Sequence, residues 1–265
     1  MLQFLALAAV VGSLAVPSAA APLQEPYRVL VGPNGSLLIA DGRSGRIVRV
    51  NPESGARTVY ARGLGRVTDL SYGPRRSLYV VNGSRVVRFS AKKTKRVVAR
   101  GFSSAFGIAV AANGSFYVVD TERNRVFRFA GGKRKVVAST GLDQPLGIAI
   151  GTNGVVYVAD SHHGRIVRIA PGRRLEPVVT GLELPASVTA EPDGSLLIVD
   201  HVRHDRPGKI LRRLPSGELR TLSSGAIMAV TSADVARDGT AYATSFLAPF
   251  LGRVDAGGRL EPLGG

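Results

Sequence analysis

The feature that most constrains this chain is repetition. The stretch GVVYVADSHHGRIVRI, residues 154–169, reads as a strand, a polar loop and a second strand. Its first half recurs as GSLLIAD (35–41), RSLYVVN (76–82), GSFYVVD (114–120), GSLLIVD (194–200) and GTAYATS (239–245). Successive copies are offset by 41, 38, 40, 40 and 45 residues. A period near 40 in short β-rich segments is that of four-stranded propeller blades. Each unit opens on an apolar segment such as GIAV (107–110), GIAI (147–150) or SVTA (187–190) and passes a turn such as AANG, GTNG or EPDG. The repeated strand follows. A polar loop leads to RIVRV (46–50), RVVRF (85–89), RVFRF (125–129), RIVRI (165–169), KILRR (209–213) or GRVDA (252–256), and a fourth segment ends on Gly. Val, Ile and Tyr dominate, as strands require, and no helical period is sustained. The expected fold is all-β, a six-bladed β-propeller of four-stranded antiparallel blades. Six whole units between about residue 26 and residue 265 leave no strand to be exchanged at closure. The first and last blades should meet by packing, with residues 21–25 as a possible edge addition.

Composition narrows the chemistry. The 265 residues include no Cys, which excludes disulfides, thiol catalysis, Cys-ligated zinc and a lipidated Cys. Residues 2–16 form an apolar run too short for a membrane span of about 20 residues. Ser18 and Ala20 then fit a signal-cleavage site after Ala20. The expectation is a signal peptide over residues 1–20, a propeller over residues 21–265, secretion or periplasmic residence, and no transmembrane segment in the mature chain. No Lys or Arg precedes the run, so an uncleaved anchor or a misplaced start is the alternative.

The motifs Pro-x-Gly-Ile-Ala, Val-Tyr-Val-Ala-Asp and Asn/Gly-x-Arg-Ile resemble the NHL repeat. The clearest copies are 145–169 and 106–129, whereas the second, fifth and sixth units are degenerate. The resemblance extends to the extracellular sensor domains of bacterial receptor kinases and to the gluconolactonase and strictosidine synthase superfamily. It implies the propeller and no single chemistry.

Two sets of cations recur. One opens the third strand: Arg46, Arg85, Arg125, Arg165, Lys209 and Arg253. Its members should pair with the residue ending the second strand, Asp in four units, to fix the intervening loop. The other follows three residues later: Arg49, Arg88, Arg128, Arg168 and Arg212, with Asp255 interrupting the set. These two sets hold much of the net charge of +16, so the total argues weakly for a nucleic-acid partner.

Local surfaces carry more. All four His fall in loops of the fourth and fifth units, His162, His163, His201 and His204. Beside them the loop SFLAPFLG (245–252) brings Phe246 and Phe250. These six residues are the ligand-binding candidates, the apolar loop either lining a channel-mouth pocket or packing on the first blade. The His side chains read either as exposed loop residues or as acid–base or metal-binding groups. On the opposite face three neighbouring turns bring Lys92, Lys93, Lys95, Arg96, Lys133, Arg134, Lys135, Arg173 and Arg174. They form a candidate polyanion-binding rim or a solvated surface. Few aromatics are interleaved, so no specific nucleic-acid readout is indicated.

In the lactonase-type relatives, as the resemblance implies, a divalent metal is held at the starts of the innermost strands. The comparable positions here are Tyr27–Arg28, Thr68–Asp69, Phe106–Gly107, Leu146–Gly147, Ala186–Ser187 and Thr231–Ser232. Only Asp69 is anionic there, Glu25 and Asp234 are a little out of register so that a shift would bring in one of them, and Arg28 repels a cation. A divalent-metal cofactor therefore rests on Asp69, His163 and His204 alone. No catalytic residue is assigned. The expectation is a non-enzymatic binding or scaffold module for a protein or anionic ligand. The alternative is a lactonase-like hydrolase or lyase with a divergent site on the fourth to sixth blades.

Overall fold

The computed structural model describes residues 22–170, 174–201, 207–247 and 249–263. The expected signal peptide and the candidates Arg173 and His204 lie outside them. Among the described residues there are 23 strands and a single 3-10 turn, and no helix is long and apolar enough to cross a membrane. Blade 1 is β1 (Pro26–Val31), β2 (Leu37–Asp41), β3 (Arg46–Val50) and β4 (Arg57–Ala61). Blade 2 is β5 (Asp69–Gly73), β6 (Ser77–Val81), β7 (Gly83–Phe89) and the first part of β8 (Lys95–Val110). Strand β8 runs on to become the inner strand of blade 3, completed by β9 (Phe116–Asp120), β10 (Arg125–Ala130) and β11 (Lys133–Ala138). Blade 4 is β12 (Pro145–Ile150), β13 (Val156–Asp160), β14 (Arg165–Ile169) and β15 (Leu175–Val179). Blade 5 is β16 (Pro185–Ala190), β17 (Leu196–Asp200), β18 (Pro207–Arg213) and β19 (Leu219–Met228). Blade 6 is β20 (Val230–Val235), β21 (Ala241–Ser245), β22 (Phe250–Val254) and β23 (Leu260–Pro262).

Every ladder is antiparallel between consecutive strands. Four sheets are four-stranded, and the seven-stranded one is blades 2 and 3 joined through β8. The inner strands follow one another around the ring, and β1 packs against β20 to close it. Six buried apolar clusters fill the spaces between adjacent blades. The closing cluster joins Val29, Leu37, Ile39 and Val48 of blade 1 to Tyr242, Leu251 and Leu263 of blade 6, with Leu23 tucked against them. Burying a Leu of this kind contributes roughly 1.5–3 kcal/mol. Closure is thus by packing, as the repeat phase predicts. It is reinforced where the Val29 N–H donates to Ser232 Oγ at 2.8 Å and the Val31 N–H to Asp234 Oδ2 at 2.8 Å.

The Asp ending the second strand of blades 1, 3, 4 and 5 is a staple. Asp41 accepts the backbone N–H groups of Gln24 and Glu25, Asp120 those of Ser103 and Ser104, Asp160 that of Asp143, and Asp200 those of Glu183 and Leu184. All four carboxylates are buried. Each pins the segment entering its own blade. The expected cation pair forms in blades 1 and 4, Arg46 on Asp41 at 2.7 Å and Arg165 on Asp160 at 2.8 Å. Each Arg also donates to a carbonyl of the entering segment, Pro22 or Gly141.

Four expected pairings need correction. In blade 5 Lys209 lies opposite Asp200 but is exposed and makes no ion pair with it. In blade 3 Asp120 pairs with Arg123 at 3.0 Å, and Arg125 is exposed. Arg123 also donates to the Gly101 carbonyl, so one loop cation performs the whole task. In blade 2 Asn82 follows β6 in place of the Asp, its side-chain amide donates to the Leu64 carbonyl, and Arg85 is exposed. In blade 6 the third strand begins at Phe250, opposite Ser245, so Arg253 lies opposite Tyr242. That is the register of Arg49 opposite Leu38 and Arg128 opposite Tyr117. Arg253 therefore completes the second set of cations, which runs through all six blades, and Asp255 does not interrupt it.

Candidate functional site

The thirteen residues lining the mouth of the central channel include all the inner-strand starts named from the sequence. They leave about 20 Å³, room for a water molecule. Arg28, from β1, fills the space. Its Nε lies 3.3 Å from Asp69 Oδ1, a charge contact without hydrogen-bond alignment, and its Nη1 reaches Thr189 Oγ1 of blade 5 at 3.4 Å. Burial pushes the Asp69 carboxyl up to about 6, against the pull of Arg28 and of the Ile108 and Leu70 N–H groups. Burial also raises Asp234, again opposed by Arg28, and its charge pushes Asp69 further up. Asp234 thus belongs to the channel cluster. It lies two residues beyond the channel-lining Ser232 on β20, on the same face of the strand, and so within Arg28's field.

Asp69 is consequently engaged by a guanidinium and two backbone N–H groups. Among the described residues no three His, Asp or Glu side chains are grouped to hold a metal.

Aromatic rings cap the mouth. Tyr27 stacks on Phe246 at 5.8 Å between centroids and meets Phe106 edge-on at 6.0 Å, and His201 stacks on the far side of Phe246 at 6.1 Å. Arg66 lies over the Tyr27 ring at 5.1 Å and donates to its hydroxyl. The apolar loop of blade 6 therefore divides. Phe246 covers the channel mouth, Phe250 opens β22, and Leu251 packs into the closing cluster. Tyr27, Arg66 and Phe106 complete this cap. Three different blades supply them, and no local motif marks them.

His162 and His163 stand apart from this cap. His163 Nδ1 lies 2.9 Å from Asp160, and His162 Nδ1 lies 3.5 Å from Asp143. His163 sits three residues after its staple carboxylate, where Ser44 follows Asp41 and Arg123 follows Asp120. It is the blade 4 form of a loop contact that blades 1 and 3 also make. His201 Nδ1 is 3.1 Å from the Val230 carbonyl.

The basic rim has a structure that the charge count conceals. The second set of cations faces outer strands whose residues differ from blade to blade. Arg168 is opposite Glu176 and bonded to it at 2.7 Å, and Arg253 is opposite Glu261 and bonded at 2.9 Å. Arg212 reaches Glu191 at 2.8 Å. In blades 2, 3 and 5 the facing residues are cations instead, Arg96 opposite Arg88, Lys135 opposite Arg128 and Arg220 opposite Arg212, but only the blade 5 pair is neutralised, by Glu191 on Arg212 and Glu218 on Arg220. Like charges directly opposite repel, so the joined sheet carries unneutralised charge on its outer strands. Lys92, Lys95, Arg96, Lys133 and Lys135 are exposed there, and Arg174 continues the rim on blade 4. Two rim candidates are spent on rings. Lys93 Nζ lies 4.9 Å from the centroid of Tyr60, and the Arg134 guanidinium 3.7 Å from that of Phe127. Desolvation there lowers the Arg134 pKa.

Residues 102–129 and 142–169 match the NHL repeat model. No curated protein matches the chain. Among solved structures, a streptogramin B lyase superimposes with a TM-score of 0.69 at 16% identity, over 92% of this chain and 84% of that one. Virginiamycin B lyase from Staphylococcus aureus gives 0.64 at 18% identity, over 90% and 83%. A chain of the nidogen/laminin complex gives 0.74 at 18% identity, over 85% and 91%. At such identities these structures share the fold alone. With its repeat register and its closed ring of blades, this chain is a β-propeller that carries two matched NHL repeats, over residues 102–129 and 142–169.

Proposed function

We propose that this propeller is a non-enzymatic binding module for a polyanionic partner, an acidic polymer or an acidic protein surface, held by the outer strands and turns of blades 2 and 3. One observation carries the reading. The cross-strand cation is matched by Glu in blades 4 and 6, and the facing cations of blade 5 are neutralised by Glu191 and Glu218, whereas the facing cations of blades 2 and 3 have no carboxylate partner among the described residues. A partner bearing carboxylate or sulfate groups would neutralise that surplus. The occupied channel, with Arg28 against Asp69, favours this reading over a lactonase-like hydrolase acting at the inner-strand starts. The shared fold of the propeller solved in a laminin complex is consistent with a protein partner. Retention on immobilised heparin and polyglutamate tests the proposal. Ser at Lys92, Lys95, Arg96, Lys133 and Lys135 should abolish retention, whereas Ser at the Glu-matched Arg168 and Arg253 should not. Retention unaffected by the five changes would rule the surface out. The proposal places the module outside the cytoplasm, exported by the apolar run of residues 2–16. The mass of protein recovered from the medium or periplasm should then correspond to a chain starting at Ala21.

A further inference from the structure

The turn between the first two strands of a blade is built alike in five blades. Asn34-Gly35, Asn113-Gly114, Asn153-Gly154, Asp193-Gly194 and Asp238-Gly239 occupy it, with the glycines at φ of 79°, 82°, 79°, 90° and 88°. The Asn or Asp accepts from the residue two further on, as in Ser115 N–H to Asn113 Oδ1 at 2.9 Å and Thr240 N–H to Asp238 Oδ1 at 2.9 Å. Blade 2 has Arg75-Arg76 instead, at φ of 55° and 57°. Arginine cannot accept that bond, and L residues enter the left-handed region at a cost. The turn has thus given up its stabilising chemistry to present a guanidinium.

Arg76 faces a cavity of about 370 Å³, bordered by Val31, Tyr72, Asp234, Val235 and Arg237. It draws on blades 1, 2 and 6, on the face opposite the aromatic cap. Among the described residues neither Arg76 nor Arg237 has a hydrogen-bond or ion-pair partner. Asp234, 8% exposed, is the acidic wall. Its oxygens accept the Val31 and Val235 N–H groups at 2.8 and 2.9 Å, and each keeps a second lone pair.

We propose that this cavity binds a small hydroxylated organic acid. The ligand's carboxylate lies between Arg76 and Arg237, where a guanidinium fork matches it. A ligand hydroxyl donates to Asp234, which as a carboxylate can only accept. The phenol of Tyr72 forms the flanking wall. The volume falls in the range of small-molecule sites. A donor-free inorganic anion such as sulfate would meet Asp234 without a hydrogen to give it, and a neutral sugar would leave both cations unmatched.

Calorimetric titration with galacturonate, galactose and inorganic sulfate tests this directly. Galacturonate should bind at least tenfold more tightly than either of the others. Arg76→Gly restores the turn residue of the other blades. It should weaken galacturonate at least tenfold while raising the midpoint of thermal unfolding. Arg237→Ala, at an exposed position, should weaken binding without lowering that midpoint. The proposal is overturned if sulfate or galactose binds as well as galacturonate. It is equally overturned if Arg76→Gly keeps full affinity, or if that change destabilises the protein.

Discussion

Asp41→Ala isolates the staple that fixes each blade to the segment entering it. The Asp41 side chain is fully buried and accepts four hydrogen bonds. The Gln24 and Glu25 N–H groups donate at 2.9 and 2.8 Å, Ser44 Oγ at 2.5 Å and Arg46 Nη2 at 2.7 Å. Deleting one member of a buried charge pair costs about 3–5 kcal/mol. Each backbone N–H left without an acceptor adds about 1–3 kcal/mol where water cannot replace it. Gln24 is exposed and water enters beside it, so a total of about 4 kcal/mol is expected. At roughly 2–4 °C per kcal/mol for a domain of this size, the unfolding midpoint should fall by roughly 8–16 °C. Urea unfolding at pH 7 would give the free-energy difference directly. A loss below about 1 kcal/mol, the range of exposed ion pairs, would refute the reasoning.

The same residue sets a pH dependence. Burial pushes the Asp41 carboxyl up, but hydrogen bonds from Ser44, Arg46 and the Glu25 and Gln24 N–H groups outweigh it and hold the carboxyl below its ordinary 3.8. The folded state therefore releases this proton more readily than the unfolded state. The stabilisation is complete above the unfolded value and is lost as pH falls through the folded one. The gap between wild type and Asp41→Ala should accordingly narrow below about pH 4.

Asp69 has the opposite sign. Its carboxyl, raised to about 6, holds a proton more readily in the folded state, so its contribution is least favourable above pH 6 and recovers as pH falls from 6 toward 3.8. Asp69→Asn should flatten that part of the stability curve measured by urea unfolding, and an unchanged inflection would remove Asp69 as its source. Arg134 lies over the Phe127 ring, so Arg134→Ala should cost about 1 kcal/mol of stability and leave heparin retention intact. Loss of retention on that change would return Arg134 to the binding surface.

Much of the fold is legible in the chain because the blade is a local object. The 40-residue offset, the Asn-Gly turns and the alternation within each strand depend on near neighbours alone. Register across an irregular loop is harder to read. In blade 6, residues 246–249 join β21 to β22, and Arg253 can be assigned to either set of cations until Phe250 is seen opposite Ser245. The role of His163 is clear only beside Ser44 and Arg123, three unlike side chains meeting one need. The candidate surfaces depend on contacts distant in sequence. Lys93 is spent on Tyr60 of the neighbouring blade, and Arg28 meets Asp69 and Thr189 across the channel. A one-dimensional charge count groups Lys92 and Lys93 together, and the fold separates them.

The measurement that bears most directly on the central claim is the salt dependence of polyanion binding. Heparin affinity would be followed by fluorescence titration from low to physiological ionic strength. The wild type is compared with the variant carrying Ser at Lys92, Lys95, Arg96, Lys133 and Lys135. Binding through unneutralised cations releases counterions, so the affinity of the wild type should fall steeply and linearly on logarithmic axes. The variant should bind at least tenfold more weakly and with a shallower slope. An identical slope and affinity in the two proteins would contradict the account, as would an equal loss on replacing Arg168 and Arg253.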